Sequence, residues 1–186
     1  MKYYIDITVR KNPEIAPQVV MNGLFEKVHL ILAEQKRNDT GISFPEFSGK
    51  GEHLGNVLRL HGSLNTLQDI AEHRYVCHMK DYADFGRVRE APDSKEFYIV
   101  SRVQAKSNPE RLRRRHMKRH GITAEQAAEK IPDTAAEMLE LPFISLNSSS
   151  TGQKFRLFIR HTDTGGFSGG EFNTYGLSKT ATVPKF

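Results

Sequence analysis

Ten residues, RLRRRHMKRH (Arg111 to His120), hold six permanent cations and two histidines. A run of this kind trails as a basic tail, lines a solvated helix, or lies against phosphates. Its flanks argue against a tail. Ser107 and Glu110 have capping-box spacing, Asn108-Pro109 offers an alternative cap with proline at the first helical position, and Gly121 follows as a C-cap. At ~100° per residue, with Arg111 at zero, Arg114, Arg115, Lys118 and Arg119 share with it an arc of about 140°, and Leu112, Arg113, His116, Met117 and His120 take the other side. Like charges three and four apart destabilise a helix by a few tenths of a kcal/mol per pair. A solvated face normally mixes signs, and no acid alternates with these cations. The pattern is that of a helix aimed at nucleic-acid phosphates and base edges. Charge alone leaves DNA and RNA open. An intact A-form RNA major groove is too deep and narrow to read, but it opens near the end and loop of a hairpin. A helix of about 20 Å suits a short stem.

Other reactive side chains are less marked by their spacing. A histidine ordinarily titrates near ~6.5 and exchanges protons at neutral pH, but the chain has eight. His29 falls about 180° from Val20 on a helical wheel, at the edge of an apolar stripe. Ser148 stands among Ser145, Ser149 and Ser150, as in a polar turn between strands. Tyr175 reads as a core or edge-strand aromatic. Phe155 alternates with Leu157 and Ile159, either facing a core or sitting exposed at a strand's start, where a base could stack on it. His73, Cys77 and His78 have helical spacing, but no second half of a zinc site follows. No Asp/Glu cluster suggests a two-metal nuclease, and GGFSGG lacks the Gly-Lys-Ser/Thr end of a phosphate-cradling loop. No metal or cofactor is expected.

The elements that must position these groups follow from periodicity. The chain has 186 residues, 38% of them hydrophobic, enough for a core. Tyr3 to Val9 alternates as a half-buried strand. Pro17 opens a helix to about Lys36, with Val20, Leu24, Val28 and Ile31 on one stripe. GISFP and LGNVLRLHG read as strands, LNTLQDIAEH as a short helix, and YADFGRVREAP and EFYIVSRVQ as strands. The order β-α-β-β-α-β is the ferredoxin-like split unit. Beyond it come the basic helix, a second at TAEQAAEK, strands at LPFISLNSS and KFRLFIRH, a Gly-rich loop, and an extended piece, TYGLSKTATVP. The expected class is α+β, with a ferredoxin-like domain over 1–95 and a smaller domain over 96–186.

Net charge is +5 and pI about 9.3. Arg102 to His120 carries eight Lys or Arg against Glu110 alone, a net of +7, so the remainder nets −2. Basicity is local, as in an electrostatic footprint. The N-terminus, MKYYIDITVR, lacks the apolar region of a signal peptide, no eighteen-residue apolar run exists, and Cys77 is the single cysteine. These features point to the cytoplasm and away from a membrane.

Taken in order, SRVQAKSNPERLRRR, KRH, IPDT, LPF, STGQ-FRLFIRH and YGLSK, with YIDI and LFEKVH near the start, closely resemble the type I-F (Csy-type) CRISPR repeat-processing endoribonucleases over nearly the whole chain. The resemblance implies a ferredoxin-like domain and a smaller RNA-recognition domain with an arginine-rich helix. It implies metal-independent cutting of a precursor transcript 3′ of each repeat hairpin, retention of the mature guide RNA, and assembly with other subunits of the type I-F surveillance complex. Residue by residue, it makes His29 the catalytic histidine, Ser148 the serine that orients the ribose, and Tyr175 the active-site tyrosine. Arg102 and Gln104 match base readers below the stem, and Phe155 the aromatic that stacks on the terminal base pair. Arg111, Arg114, Arg115, Lys118, Arg119 and His120 lie on the RNA-binding helix. The chain departs from several members at His116, where they have an apolar residue, and at Lys118, where they have arginine. Lys118 keeps a point charge without the bidentate fork. The alternative is a hairpin-binding subunit that does not cut.

Overall fold

The structure is a computed structural model that describes residues 1–47, 53–104, 109–132, 139–148 and 152–186. Two compact units divide it: Met1–Arg102 with Leu141–Phe186, and Val103–Glu140. The fold is α+β with a ferredoxin-like core, as the element order implies.

The first unit opens with β1 (Tyr3–Val9), in which Ile5, Ile7 and Val9 are buried and Thr8 is exposed. Helix α1 (Pro17–Glu34) begins at proline and buries Val20, Leu24, Phe25, Val28 and Ile31. It stops two residues before the expected Lys36, which adopts φ 50° and turns the chain away. Strands β2 (Gly41–Ser43) and β3 (Val57–Gly62), then α2 (Leu64–Glu72), follow. A short α3 (Arg74–Cys77) and a 3-10 turn (His78–Asp81), both unforeseen, lead into β4 (Ala83–Phe85). His73 is a capping residue here, its Nδ1 accepting from the Tyr75 amide, and the Cys77 thiol donates to the His73 carbonyl. The expected strand from Tyr82 is broken. Gly86 donates its amide to the Asp6 carbonyl so closely that a Cβ would lie 2.9 Å from that oxygen, and pairing resumes only at β5 (Arg89–Glu90). The sheet order β2-β3-β1-β4 has antiparallel neighbours, the split βαβ arrangement.

A second sheet, in the order β7-β8-β6-β9, uses β6 (Phe97–Val103), β7 (Phe143–Asn147), β8 (Lys154–Thr164) and β9 (Val183–Pro184). Much of the extended piece expected after Thr174 is instead turn and loop. Arg59 ties this end of the chain to the first sheet. It donates twice to Asp6, at 2.6 and 2.9 Å, and once to the Phe186 carbonyl at 2.7 Å, with its guanidinium over the Tyr4 and Phe186 rings.

The second unit holds α4 (Pro109–His120) and α5 (Ala124–Lys130), packed on each other. Pro109 starts α4, and Gly121, with φ 62°, ends it as expected by donating to the Met117 carbonyl. The cap candidates Ser107 and Asn108 lie outside the described residues. Helix α5 carries a full capping box from Thr123 and Gln126.

Two histidines of the first unit have ring nitrogens shut off from water, His61 wholly buried and His161 half-buried. His61 is fully enclosed, its Nε2 2.8 Å from the Ser43 hydroxyl and its Nδ1 without a partner. Burial, then the Arg59 charge, pushes its pKa down to about 3. His161 stacks on Tyr98 at 4.7 Å, its Nε2 buried and unpartnered, and burial pushes it down to about 4. Both stay neutral in the fold while the unfolded chain takes up protons below ~6.5. Their stabilisation is therefore complete above that pH and is lost as pH falls toward 4 and then 3. From about pH 7.5 to about pH 5, stability to urea should drop by up to about 2 kcal/mol per histidine. His61→Gln should flatten the profile; a pH-independent urea midpoint in the parent protein would refute this account.

Candidate active site

The site assembles around His29, the sixth residue from the end of α1. Val28 beside it is wholly buried, and His29 is half-buried at the edge of the apolar stripe, as the wheel implies. Its Nδ1 donates to the Thr174 carbonyl at 2.8 Å. A carbonyl only accepts, so in the neutral ring the proton sits on Nδ1 and the lone pair on Nε2. The ring stacks on Tyr175, with centroids 3.8 Å apart and planes 12° from parallel. Tyr175 stacks in turn on Phe25 at 6.4 Å.

The loop that presents Thr174 and Tyr175 is built by its flanking residues. The Asn173 side-chain oxygen accepts from the amides of Tyr175, at 2.8 Å, and Leu177, at 3.2 Å. Gly176 closes the turn with φ 67° and donates to the Asn173 carbonyl. Its own carbonyl accepts from Ile42 of β2. A Cβ at Gly176 would sit 2.4 Å from Ile42, so only glycine lets the turn approach this closely. The turn is thus pinned both to the first sheet and, through His29, to α1.

The second sheet supplies the rest. Ser148 follows β7; its amide donates to the Gln153 carbonyl and its carbonyl accepts from Gly152, closing the hairpin to β8. Phe155, near the start of β8, is half-buried, whereas Leu157 and Ile159 on the same face are fully buried. The Arg102 guanidinium lies 5.8 Å from the Phe155 ring centroid. His29, Ser148, Tyr175, Arg102 and Phe155 all line one cleft of about 420 Å³, with Glu26 and Asn147, which sequence reasoning did not single out. The cleft offers an imidazole nitrogen, a hydroxyl, a phenol, a guanidinium and an aromatic face.

In the other unit, Arg111, Arg114, Arg115, Lys118 and Arg119 lie along α4. Arg111, Arg114, Arg115, Lys118 and Arg119 are exposed and Leu112, Arg113, His116 and Met117 half-buried, the division the wheel implies except at His120, which lies at the helix end and is exposed. Arg113 donates through Nε to the Ile131 carbonyl at 2.8 Å, a structural role. His120 is exposed, its ring 4.4 Å from that of His116. Desolvation, then the charges of His120, Lys130 and Arg119, lowers the His116 pKa, so this face favours neutral His116. Gln104, also in this unit, is exposed.

Comparison with known proteins agrees with the resemblance. A model of the family described as CRISPR-associated protein (Cas_Csy4) matches residues 4–186. The CRISPR-associated endonuclease Cas6/Csy4 of Pseudomonas aeruginosa (strain UCBPP-PA14) is 44% identical over 192 residues, and that of Escherichia coli (strain UTI89 / UPEC) is 41% identical over 187, each aligned across the whole of both chains. A match along the full length, through the segments that build the cleft and the basic helix alike, leaves one conclusion: the chain belongs to the Cas6/Csy4 family of CRISPR-associated endonucleases.

Proposed function

We propose that this repeat-processing endoribonuclease cuts a precursor transcript 3′ of the repeat hairpin by attack of the RNA's own 2′-hydroxyl, without a metal ion. The observation that carries the reading is the His29 imidazole, its Nδ1 proton committed to Thr174 and its ring stacked on Tyr175. Nε2 then acts as the base that takes the 2′-hydroxyl proton. The 2′-oxygen bonds to phosphorus, the bond to the 5′-oxygen breaks, and that oxygen gains a proton. The products are a 2′,3′-cyclic phosphate and a 5′-hydroxyl. Ser148 orients the ribose, and Tyr175 holds the imidazole plane. Arg102 and Gln104 read bases below the stem, and Phe155 stacks on its terminal pair.

The outward cations of α4, together with His120, hold the stem. The run presents them without the alternating acids that would neutralise a solvated face. Tight holding of the stem lets the mature guide RNA stay bound and the protein join the other subunits of a type I-F complex. The ferredoxin-like domain is read as residues 1–95, and the RNA-recognition domain as 96–186. The cytoplasm is the expected compartment: Cys77 is exposed and free, and among the described residues no helix is long and apolar enough to cross a membrane.

Cleavage of a repeat hairpin should proceed in excess EDTA; loss on chelation, restored by magnesium, would overturn the metal-free reading. A substrate with a 2′-deoxyribose at the cut site should bind and stay intact. His29→Ala on all-RNA substrate should slow cutting by about 10²–10⁴-fold, the usual worth of positioned general acid–base catalysis, with little change in Kd. Cutting of the deoxy substrate would show that water is the nucleophile.

Replacing both Arg115 and Arg119 with alanine should weaken hairpin binding and flatten its salt dependence. The slope of log K against log salt should fall by roughly 0.7–0.9 for each phosphate that is no longer neutralised. An unchanged slope in a binding titration over several salt concentrations would assign these side chains to solvent.

A further inference from the structure

Helix α1 carries a stripe of amides that the reaction does not use. The Gln18 side-chain N–H donates to the Phe143 carbonyl at 2.9 Å and to the Asn22 side-chain oxygen at 3.1 Å. That same Asn22 oxygen accepts from the Ser145 amide at 3.1 Å. Phe143 and Ser145 belong to β7, the edge strand of its sheet. Pro142 bonds across to Ile159 on the β8 side, so alternate residues 143 and 145 turn their peptide groups outward. Left alone, those groups would be an unpaired edge. Gln18 and Asn22 answer one acceptor and one donor of it.

The two ladders keep step. Gln18 to Asn22 is one helical turn, about 6 Å, and Phe143 to Ser145 is about 6.6 Å of strand. Continuing at that pitch, Glu26 comes level with Asn147, and both line the cleft. From Asn22 to His29 is about 10.5 Å along α1, and from Ser145 to Ser148 about 10 Å along β7. A clamp at Asn22–Ser145 therefore brings His29 and Ser148 to the same level. Because side-chain period in a strand is two, a slip of one residue would turn the strand's faces over and move Ser148 along by about 3.3 Å.

We infer that Gln18 and Asn22 are positioning residues for cleavage: they lock the register of β7 against α1 and so set Ser148 opposite His29. The inference rests on the reading of the cleft as the cutting site. It concerns the chemical step and not hairpin affinity.

The test is single-turnover cleavage of an all-RNA repeat hairpin under enzyme excess, with Kd measured on the hairpin carrying a 2′-deoxyribose at the cut site. Asn22→Ala should cut about 10–100-fold more slowly, since misplacement by about 1 Å costs on the order of 10²-fold, with Kd within about twofold. Asn22→Asp keeps the one oxygen that both donors use and should restore the rate to within about threefold of the parent. Gln18→Glu loses the donor, sets a carboxylate against the Phe143 carbonyl, and should slow cutting as Asn22→Ala does. It provides the same test should Asn22→Ala not fold. Parent-like rates in Gln18→Glu and Asn22→Ala, equal slowing in Asn22→Asp and Asn22→Ala, or a weakened Kd with an unchanged rate would each overturn the inference. His29→Ala is assayed alongside. If it is slow while the amide variants are not, only the clamp fails; if it cuts at the parent rate, the reading of the cleft fails and takes the clamp with it.

Discussion

One hydrogen bond, from His29 Nδ1 to the Thr174 carbonyl, constrains the whole site. It fixes the tautomer, because a carbonyl cannot donate, and it fixes the ring plane, because Tyr175 lies parallel at 3.8 Å. A histidine on a helix surface otherwise turns freely among its rotamers. The rest of the first unit can be read as support for this interaction. Asn173 and Gly176 shape the turn that offers the carbonyl, and β2 holds that turn through Ile42. The buried stripe of α1 holds the other side. A change far from the imidazole, at Gly176 or Asn173, thus acts through the position of one oxygen.

Segments with strong periodicity are legible in the sequence. Tyr3 to Val9 and the Pro17 helix need only alternation and an apolar stripe. The cation face of α4 follows from spacing alone, and the opposite face proves to be the one that reaches α5, through Arg113. Sequence reading fails where tertiary structure decides. The strand from Tyr82 is interrupted because Gly86 bonds to Asp6 in another strand. The segment around Tyr175 looks extended but turns tightly, although Asn173 and Gly176 on either side of it are turn residues whose signal is there to read. Gln18 and Asn22 fall off the apolar stripe, where periodicity assigns them nothing, and the placement of β7 gives them backbone partners.

The cleft itself is not legible from composition. Its residues come from positions 26, 29, 30, 102, 146, 147, 148, 155 and 175, brought together by a sheet order in which β6 and β8 are neighbours. Any one of eight histidines meets the chemical requirement. Likeness to a family points to His29; geometry sets it apart, because its hydrogen-bond acceptor is a backbone atom and therefore survives many changes of side chain.

The first unit is interrupted in sequence. Its two pieces, Met1–Arg102 and Leu141–Phe186, are separated by the span that carries α4 and α5. His29 meets Thr174 across 145 residues. Pairings so distant along a chain are the slow ones to form, since a long loop must close first. On a translating ribosome the basic helix emerges while the turn that orients the imidazole has yet to be made. The nascent protein therefore has its cationic helix in hand before the bond that fixes the His29 ring can close, and the cleft around that ring is completed late in synthesis.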